Sequence, residues 1–191
     1  MDAFEHIVAA ILDREGYWTR KEVKVEITKD EKKQIGRPSS PRWEIDVVGY
    51  KAAMNEIWVV ECKSYLDSKG VSADAFTGNA GSNDRFKLFN EETTRKVVLG
   101  RLAKQFEQQG LCQAKPKVVL CLAAGMVRTD VDEEIIRSHF KEKGWLFMGP
   151  SWIRGQLESL AQSGYENSIA VVVAKVLLRD PTSNPSLDRI D

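Results

Sequence analysis

The run EIWVVECK, residues 56 to 63, restricts the fold more than any other feature of the chain. Ile57, Trp58, Val59 and Val60 are apolar in succession, so a strand built from them is apolar on both faces and belongs inside a sheet that is covered on both sides. The run nevertheless ends in charge. With a side-chain period of two, Glu61 and Lys63 share one face while Cys62 points to the other. An ionisable pair at the end of a buried strand costs several kcal/mol or shifts its pKa unless partners are supplied, so its presence needs a reason.

The flanking sequence supplies the layers that such a strand requires. Between Asp2 and Glu15, Phe4, Ile7, Val8, Ile11 and Leu12 recur at helical spacing, and Gly16 stops the pattern. Residues 17 to 28 alternate as a half-buried strand does, and DEKKQIGRPSSPR then reads as a turn-forming stretch. Residues 42 to 49 alternate again, with Trp43, Ile45 and Val47 expected on one side and Glu44, Asp46 and Val48 on the other. A turn over 50 to 55 leads into the central strand. From Ser64 to Asn90 the pattern is lost among Gly, Ser, Asn and Asp, which predicts a long loop or mobile flap. A helix over about 91 to 109 carries Val98, Leu99, Leu102 and Phe106 on its apolar face, and KVVLCLA at 117 to 123 reads as a second buried strand. Helices near 131 to 143, 151 to 162 and 168 to 179 and a short strand at 145 to 148 follow, and PTSNPSLDRID is expected to be a flexible tail. The prediction is an α/β protein, an α/β/α sandwich with a mixed central sheet, forming a single domain over 1 to 180 with its core in about 2 to 123 and further α/β elements after it.

Composition narrows the function. In 191 residues, 28 Lys and Arg balance 28 Asp and Glu, so the formal net charge is zero and any polyanion has to be met by a local patch. The densest basic stretch holds Lys29, Lys32, Lys33, Arg37 and Arg42 and leads straight into the strand with Asp46, which makes Lys32, Lys33 and Arg37 the candidates for contacting nucleic acid. Cys62, Cys112 and Cys121 form no CxxC pair, so reduced thiols are expected. No apolar run approaches the ~20 residues of a membrane span and the start carries acids where a signal peptide is basic, so a cytoplasmic protein without a membrane partner is expected. No Walker, dinucleotide-glycine, HExxH or GxSxG motif is present, and no small-molecule cofactor is implied.

A hairpin joining 42–49 to 56–63 would set Asp46 near Glu61. Two converging carboxylates repel each other unless a cation lies between them, and hard oxygen ligands of this kind suit Mg²⁺, with Mn²⁺ able to substitute. A divalent ion beside a lysine is equipment for cleaving phosphodiesters. Asp46, fourteen residues, then Glu61-Cys62-Lys63 resembles the signature of the PD-(D/E)xK nuclease superfamily, which includes restriction endonucleases and archaeal-type Holliday-junction resolvases. FEHIVAAILDREGYW, from Phe4, is similar to the opening helix of its resolvase-like and methylation-dependent restriction members, where the glutamate of FE joins the active site; here that residue is Glu5. The superfamily core, helix, three strands, helix, strand, follows the order read above. The resemblance covers about residues 2 to 123, and Ile45 stands where many members have proline.

The resemblance implies a Mg²⁺-dependent DNA endonuclease. Asp46, Glu61 and the backbone carbonyl of Cys62 would hold the ion, Glu5 would reach it directly or through water, and Lys63 would orient the attacking water. It also implies that Arg101 and Gln105, on a polar stripe of the second helix, contact substrate. A homodimer is one way to cut two strands, and WLFMGPSWI offers an apolar contact for it, although a core strand reads the same way. Two alternatives stay open: a catalytically silent nucleic-acid-binding or assembly module on the same fold, and a small-molecule enzyme on another α/β fold.

Overall fold

The central run does become β3 (Glu56–Lys63), the third strand of a five-stranded sheet ordered β1-β2-β3-β4-β5. We describe the chain from a computed structural model, over residues 2–39, 42–78 and 84–179. In chain order the elements are α1 (Ala3–Arg14), β1 (Trp18–Val25), α2 (Lys29–Gln34), β2 (Trp43–Lys51), β3, the short helices α3 (Asp74–Thr77) and α4 (Lys87–Asn90), α5 (Glu92–Gln108), β4 (Lys117–Ala124), α6 (Asp130–Lys143), β5 (Leu146–Met148), α7 (Pro150–Ala161) and α8 (Ile169–Leu178). β2 is antiparallel to both β1 and β3, whereas β4 runs parallel to β3 and β5 parallel to β4.

Burial on both faces of β3 follows from its neighbours. On one side Phe4, Val8, Ile11 and Leu12 of α1, with Ile153 and Leu160 of α7 and Val171 of α8, pack against Val47, Val60, Cys62 and Cys121. On the other, Val98, Leu102 and Phe106 of α5 and Ile136 and Phe140 of α6 cover Ile45, Ile57, Val59, Leu120 and Leu122. The result is a mixed sheet between two helical layers, the expected α/β/α sandwich, with β5, α7 and α8 added to the same cores. Each fully covered side chain of this size contributes about 1.5–3 kcal/mol. All three cysteines are free thiols, and among the described residues no helix is long and apolar enough to cross a membrane.

Three expectations change. The stretch read as a turn contains α2, because Thr28 and Glu31 form a reciprocal capping box that stabilises its first turn. Val47 does not share a face with Ile45: it joins the α1 side, while Ile45 and Val48 join the α5 side. The phase shifts because the β1–β2 pairing lapses between Lys21↔Val47 and Val23↔Ile45, where Glu22 takes φ +52°. The segment after β3 is no open flap in its described part: Val71, Ala73, Phe76, Phe86, Leu88 and Phe89 are buried, and Phe76 packs edge-on against Phe86, Phe89 and Phe140. In WLFMGPSWI, Met148 and Ile153 are buried in the core, and the exposed apolar side chains include Ile169, Val176 and Leu177 on α8. The expected flexible tail lies outside the described residues.

The segment from 64 to 70 is pinned where it meets the chain just beyond β4. Val71 donates to the Met126 carbonyl at 2.9 Å, Arg128 donates to the Val71 carbonyl at 2.9 Å, and Gly70 sits at φ +81° against this crossing. A Cβ there would lie 2.7 Å from the Val127 carbonyl carbon. Gly70→Ala should therefore cost clearly more than the ~1–2 kcal/mol of a left-handed alanine, whereas Gly110→Ala, at φ +67° with no neighbour within 4 Å, should cost no more than that. Urea denaturation of both variants checks this, and equal losses would contradict the close packing at Gly70.

Candidate active site

Register brings the two carboxylates of β2 and β3 together. Their antiparallel ladder pairs Lys51 with Glu56 and runs to Val47↔Val60, so one further step would place Asp46 opposite Glu61. The ladder stops short of that step. The amide of Cys62 instead donates to Asp46 Oδ2 at 2.7 Å, a charge-assisted bond that satisfies a strand amide after its backbone partner has moved away. The opening between the strands is where the charged groups collect.

Lys63 folds back into it. Its Nζ lies 3.4 Å from Glu61 Oε2 and 3.8 Å from Asp46 Oδ2, and it donates to the Cys62 carbonyl at 3.1 Å. That carbonyl and both carboxylates thus face one small volume, now filled by an ammonium. Glu5 joins from α1, with Oε2 buried and without a hydrogen-bond partner. A buried carboxylate oxygen in that state costs about 1–3 kcal/mol or more, which identifies it as a group awaiting a partner.

Electrostatics describe the same shortage of positive charge. Burial, then the proximity of Asp46, raises the Glu5 carboxyl above its ordinary range. Glu61 is pushed up to about 7, chiefly by burial, with Lys63 opposing the shift and Asp46 and Glu5 adding to it. Burial acts to lower Lys63, yet Glu61 and Asp46 together hold its ammonium above the usual value. Asp46 and Glu61 therefore share one lysine, with the Glu5 carboxylate adding to the negative charge around them. Among the described residues no group of three or more His, Cys, Asp or Glu stands in a ready-made metal cluster, so a cation here would take two carboxylates, Asp46 and Glu61, and the Cys62 carbonyl, with Glu5 behind them. The unpartnered Glu5 oxygen fits such an ion.

The expected nucleic-acid contacts fare differently. Arg101 is tied to Glu31, with Nη2 at 2.7 Å from Oε1 and Nε at 3.0 Å from Oε2. Gln105 donates to the Lys24 carbonyl at 3.0 Å and accepts from the Glu26 amide at 3.1 Å, covering the outer edge of β1. Arg37 pairs with Glu91 at 3.3 Å and lies over the Trp43 ring. These three hold residues 24 to 37 against α5 and its start, a role that a polar stripe in sequence does not distinguish from substrate contact. Lys33 stays exposed beside Asp30 at 3.7 Å, and Lys32 is half-buried on the same helix. His6 is exposed beside Lys21, and His139 packs edge-on to Trp145, so neither histidine joins the site. The sequence reading assigned nothing to Tyr65, which follows Lys63 by two residues and takes φ +46°; a bulky residue in that region is uncommon, but no one-dimensional signal announces it.

No family model matches the chain, and no curated protein matches it. A solved structure titled "Crystal Structure of Protein of Unknown Function AF1548" aligns with 85% of this chain and 71% of its own at 16% identity and a TM-score of 0.41. A likeness that slight adds nothing to the fold and site described above.

The raised Glu61 carboxyl sets a pH dependence. The folded protein keeps this proton up to about pH 7, whereas the unfolded chain releases it near 4.5, so between those values the folded state binds more protons and stability falls as pH rises. In chelator, the metal-free protein should lose about 2–3 kcal/mol across that window through this group. Glu61→Gln should flatten the slope. Urea denaturation at several pH values measures it, and an unchanged slope in the variant would contradict the assignment.

Proposed function

We propose that this chain is a metal-dependent nuclease that hydrolyses phosphodiester bonds in DNA, on the pattern of the PD-(D/E)xK superfamily that its sequence resembles. The observation that carries the reading is the convergence of Asp46, Glu61, Lys63 and the Cys62 carbonyl where β2 parts from β3, with a partnerless Glu5 oxygen buried beside them. Paired carboxylates and a carbonyl are the hard oxygen donors that Mg²⁺ or Mn²⁺ accepts. When bound, such an ion supplies Lewis acidity toward the scissile phosphate and lowers the pKa of water.

The chain's own groups supply the rest. Lys63, cationic at neutral pH, can turn its three donors from Glu61 toward an incoming water and the phosphoryl oxygens, where negative charge builds in the transition state. Asp46 accepts from the Cys62 amide and so ties the Glu61–Cys62 peptide to β2. Glu5 offers an oxygen that has no other partner. Val47 and Cys62 behind the site, and Phe4 on α1, are buried and keep bulk water from its inner wall.

Purified protein should nick or linearise plasmid, or cut linear or branched DNA, in Mg²⁺ or Mn²⁺ and not in chelator. Asp46→Ala, Glu61→Ala and Lys63→Ala should each lower the rate by at least about 100-fold while leaving the circular dichroism spectrum unchanged. Glu5→Ala should lower it less. If a variant at 46, 61 or 63 cuts at the wild-type rate, that residue has no part in the chemistry. If the wild type binds DNA in Mg²⁺ and leaves it intact, the chain is a silent binding module.

A further inference from the structure

Directly after Lys63 the loop from Ser64 to Gly70 lines, with Arg85, an open recess of about 420 Å³. This lies within the range of pre-formed small-ligand sites. Its wall combines an aromatic ring, Tyr65, an aliphatic tip, Leu66, and two cations, Lys69 and Arg85, against a single acid, Asp67. Leu66 is 64% exposed, an apolar side chain beside Asp67, Lys69 and Arg85 in the lining.

The loop is fixed before any ligand arrives. Tyr65 is held at φ +46°, a conformation that costs a bulky side chain about 1 kcal/mol or more. It persists because the Ser68 amide and hydroxyl both donate to the Tyr65 carbonyl, at 3.1 and 3.0 Å, and because Arg85 Nη1 donates to the Tyr65 hydroxyl at 3.4 Å. The far end is locked where Val71 pairs with Val127. Strain maintained by several bonds next to a reactive lysine is a feature that simple loop closure does not require.

We propose that this pocket receives one unstacked nucleotide adjoining the scissile phosphate, so that the substrate is nucleic acid that is single-stranded or unpaired at the cut. The proposal rests on the nuclease reading above. An aromatic ring flanked by cations matches a base face joined to a phosphate, and bases offer their faces only when they leave the stack. In a continuous duplex those faces are covered, and the wall at Tyr65 and Leu66 would have nothing to meet.

The test is binding without turnover. Fluorescence anisotropy of a fluorescein-labelled single-stranded dodecamer and of its duplex is measured in chelator, with wild type, Tyr65→Asn, Tyr65→Phe and Arg85→Ala. Asparagine tolerates the left-handed backbone, so Tyr65→Asn removes the ring without adding backbone strain, and Tyr65→Phe, which loses the same hydroxyl bond to Arg85 but keeps the ring, separates the two effects. It should weaken single-strand binding roughly 5- to 150-fold, the measured range for losing one stacked base, while Tyr65→Phe stays within about twofold and duplex binding hardly changes. Arg85→Ala should reduce the single-strand salt slope by about 0.7. Single-strand binding by Tyr65→Asn at wild-type strength, an equal loss on duplex, or no oligonucleotide binding by the wild type would each overturn the pocket assignment. A wild type that shows this ring-dependent binding but leaves the strand uncut in Mg²⁺ and Mn²⁺ would support the pocket and overturn the nuclease reading.

Discussion

The bond from the Cys62 amide to Asp46 Oδ2, 2.7 Å long, organises the functional end of this protein. A strand amide that loses its ladder partner inside a fold has to find another acceptor. Supplying it from a carboxylate lets β2 and β3 separate without leaving the amide unsatisfied, and it draws Asp46 into the gap. Everything charged in the site is placed relative to that gap: Glu61 and Lys63 on either side of Cys62, and Glu5 above it on α1. Without the bond, Asp46 would keep only its 3.8 Å approach to Lys63, and the Cys62 amide would lack an acceptor.

The same arrangement is costly to the fold. Asp46 and Glu61 share one lysine, Glu61 is driven up to about 7 by burial first, and a Glu5 oxygen is stranded. A sheet optimised for stability alone would replace these groups with apolar side chains, as buried charge clusters rarely outperform them. The hydrophobic layers on both sides carry the burden, since Leu12, Ile45, Val60, Leu120 and Leu122 are all fully covered. Local destabilisation within a well-packed scaffold is what a binding site for a cation requires, because the binding energy then acts on groups already held in position.

Much of this was legible in the sequence because it depends on local periodicity. The apolar run 56 to 63 marked the central strand, and the two-residue period correctly separated Cys62 from Glu61 and Lys63. The helix bearing Val98, Leu102 and Phe106 was visible for the same reason. What the sequence hid was set by contacts between distant segments. Arg101 and Gln105 look like free polar residues on one helix stripe until Glu31 and the β1 edge, some 70 to 81 positions away, are seen to hold them. The stretch 64 to 90 lacks any period because its described buried residues, Val71, Phe76 and Phe86 among them, lie in loops and in helical pieces of a single turn such as α3, too short for a repeat to show. The shift of Val47 to the α1 side arises from the break opposite Glu22, which alternation alone does not reveal.

The central claim is that Asp46, Glu61 and the Cys62 carbonyl would hold a divalent cation, with Glu5 as a further oxygen beside them. Isothermal titration of Mn²⁺ into the chelator-treated protein, repeated with Asp46→Asn and Glu61→Gln, tests it without reference to any substrate. The account predicts saturable binding to the wild type that is lost in Asp46→Asn and weakened at least about tenfold in Glu61→Gln, as removal of a charged ligand requires. Saturable binding of equal strength in all three proteins, or none in the wild type at millimolar Mn²⁺, would contradict it.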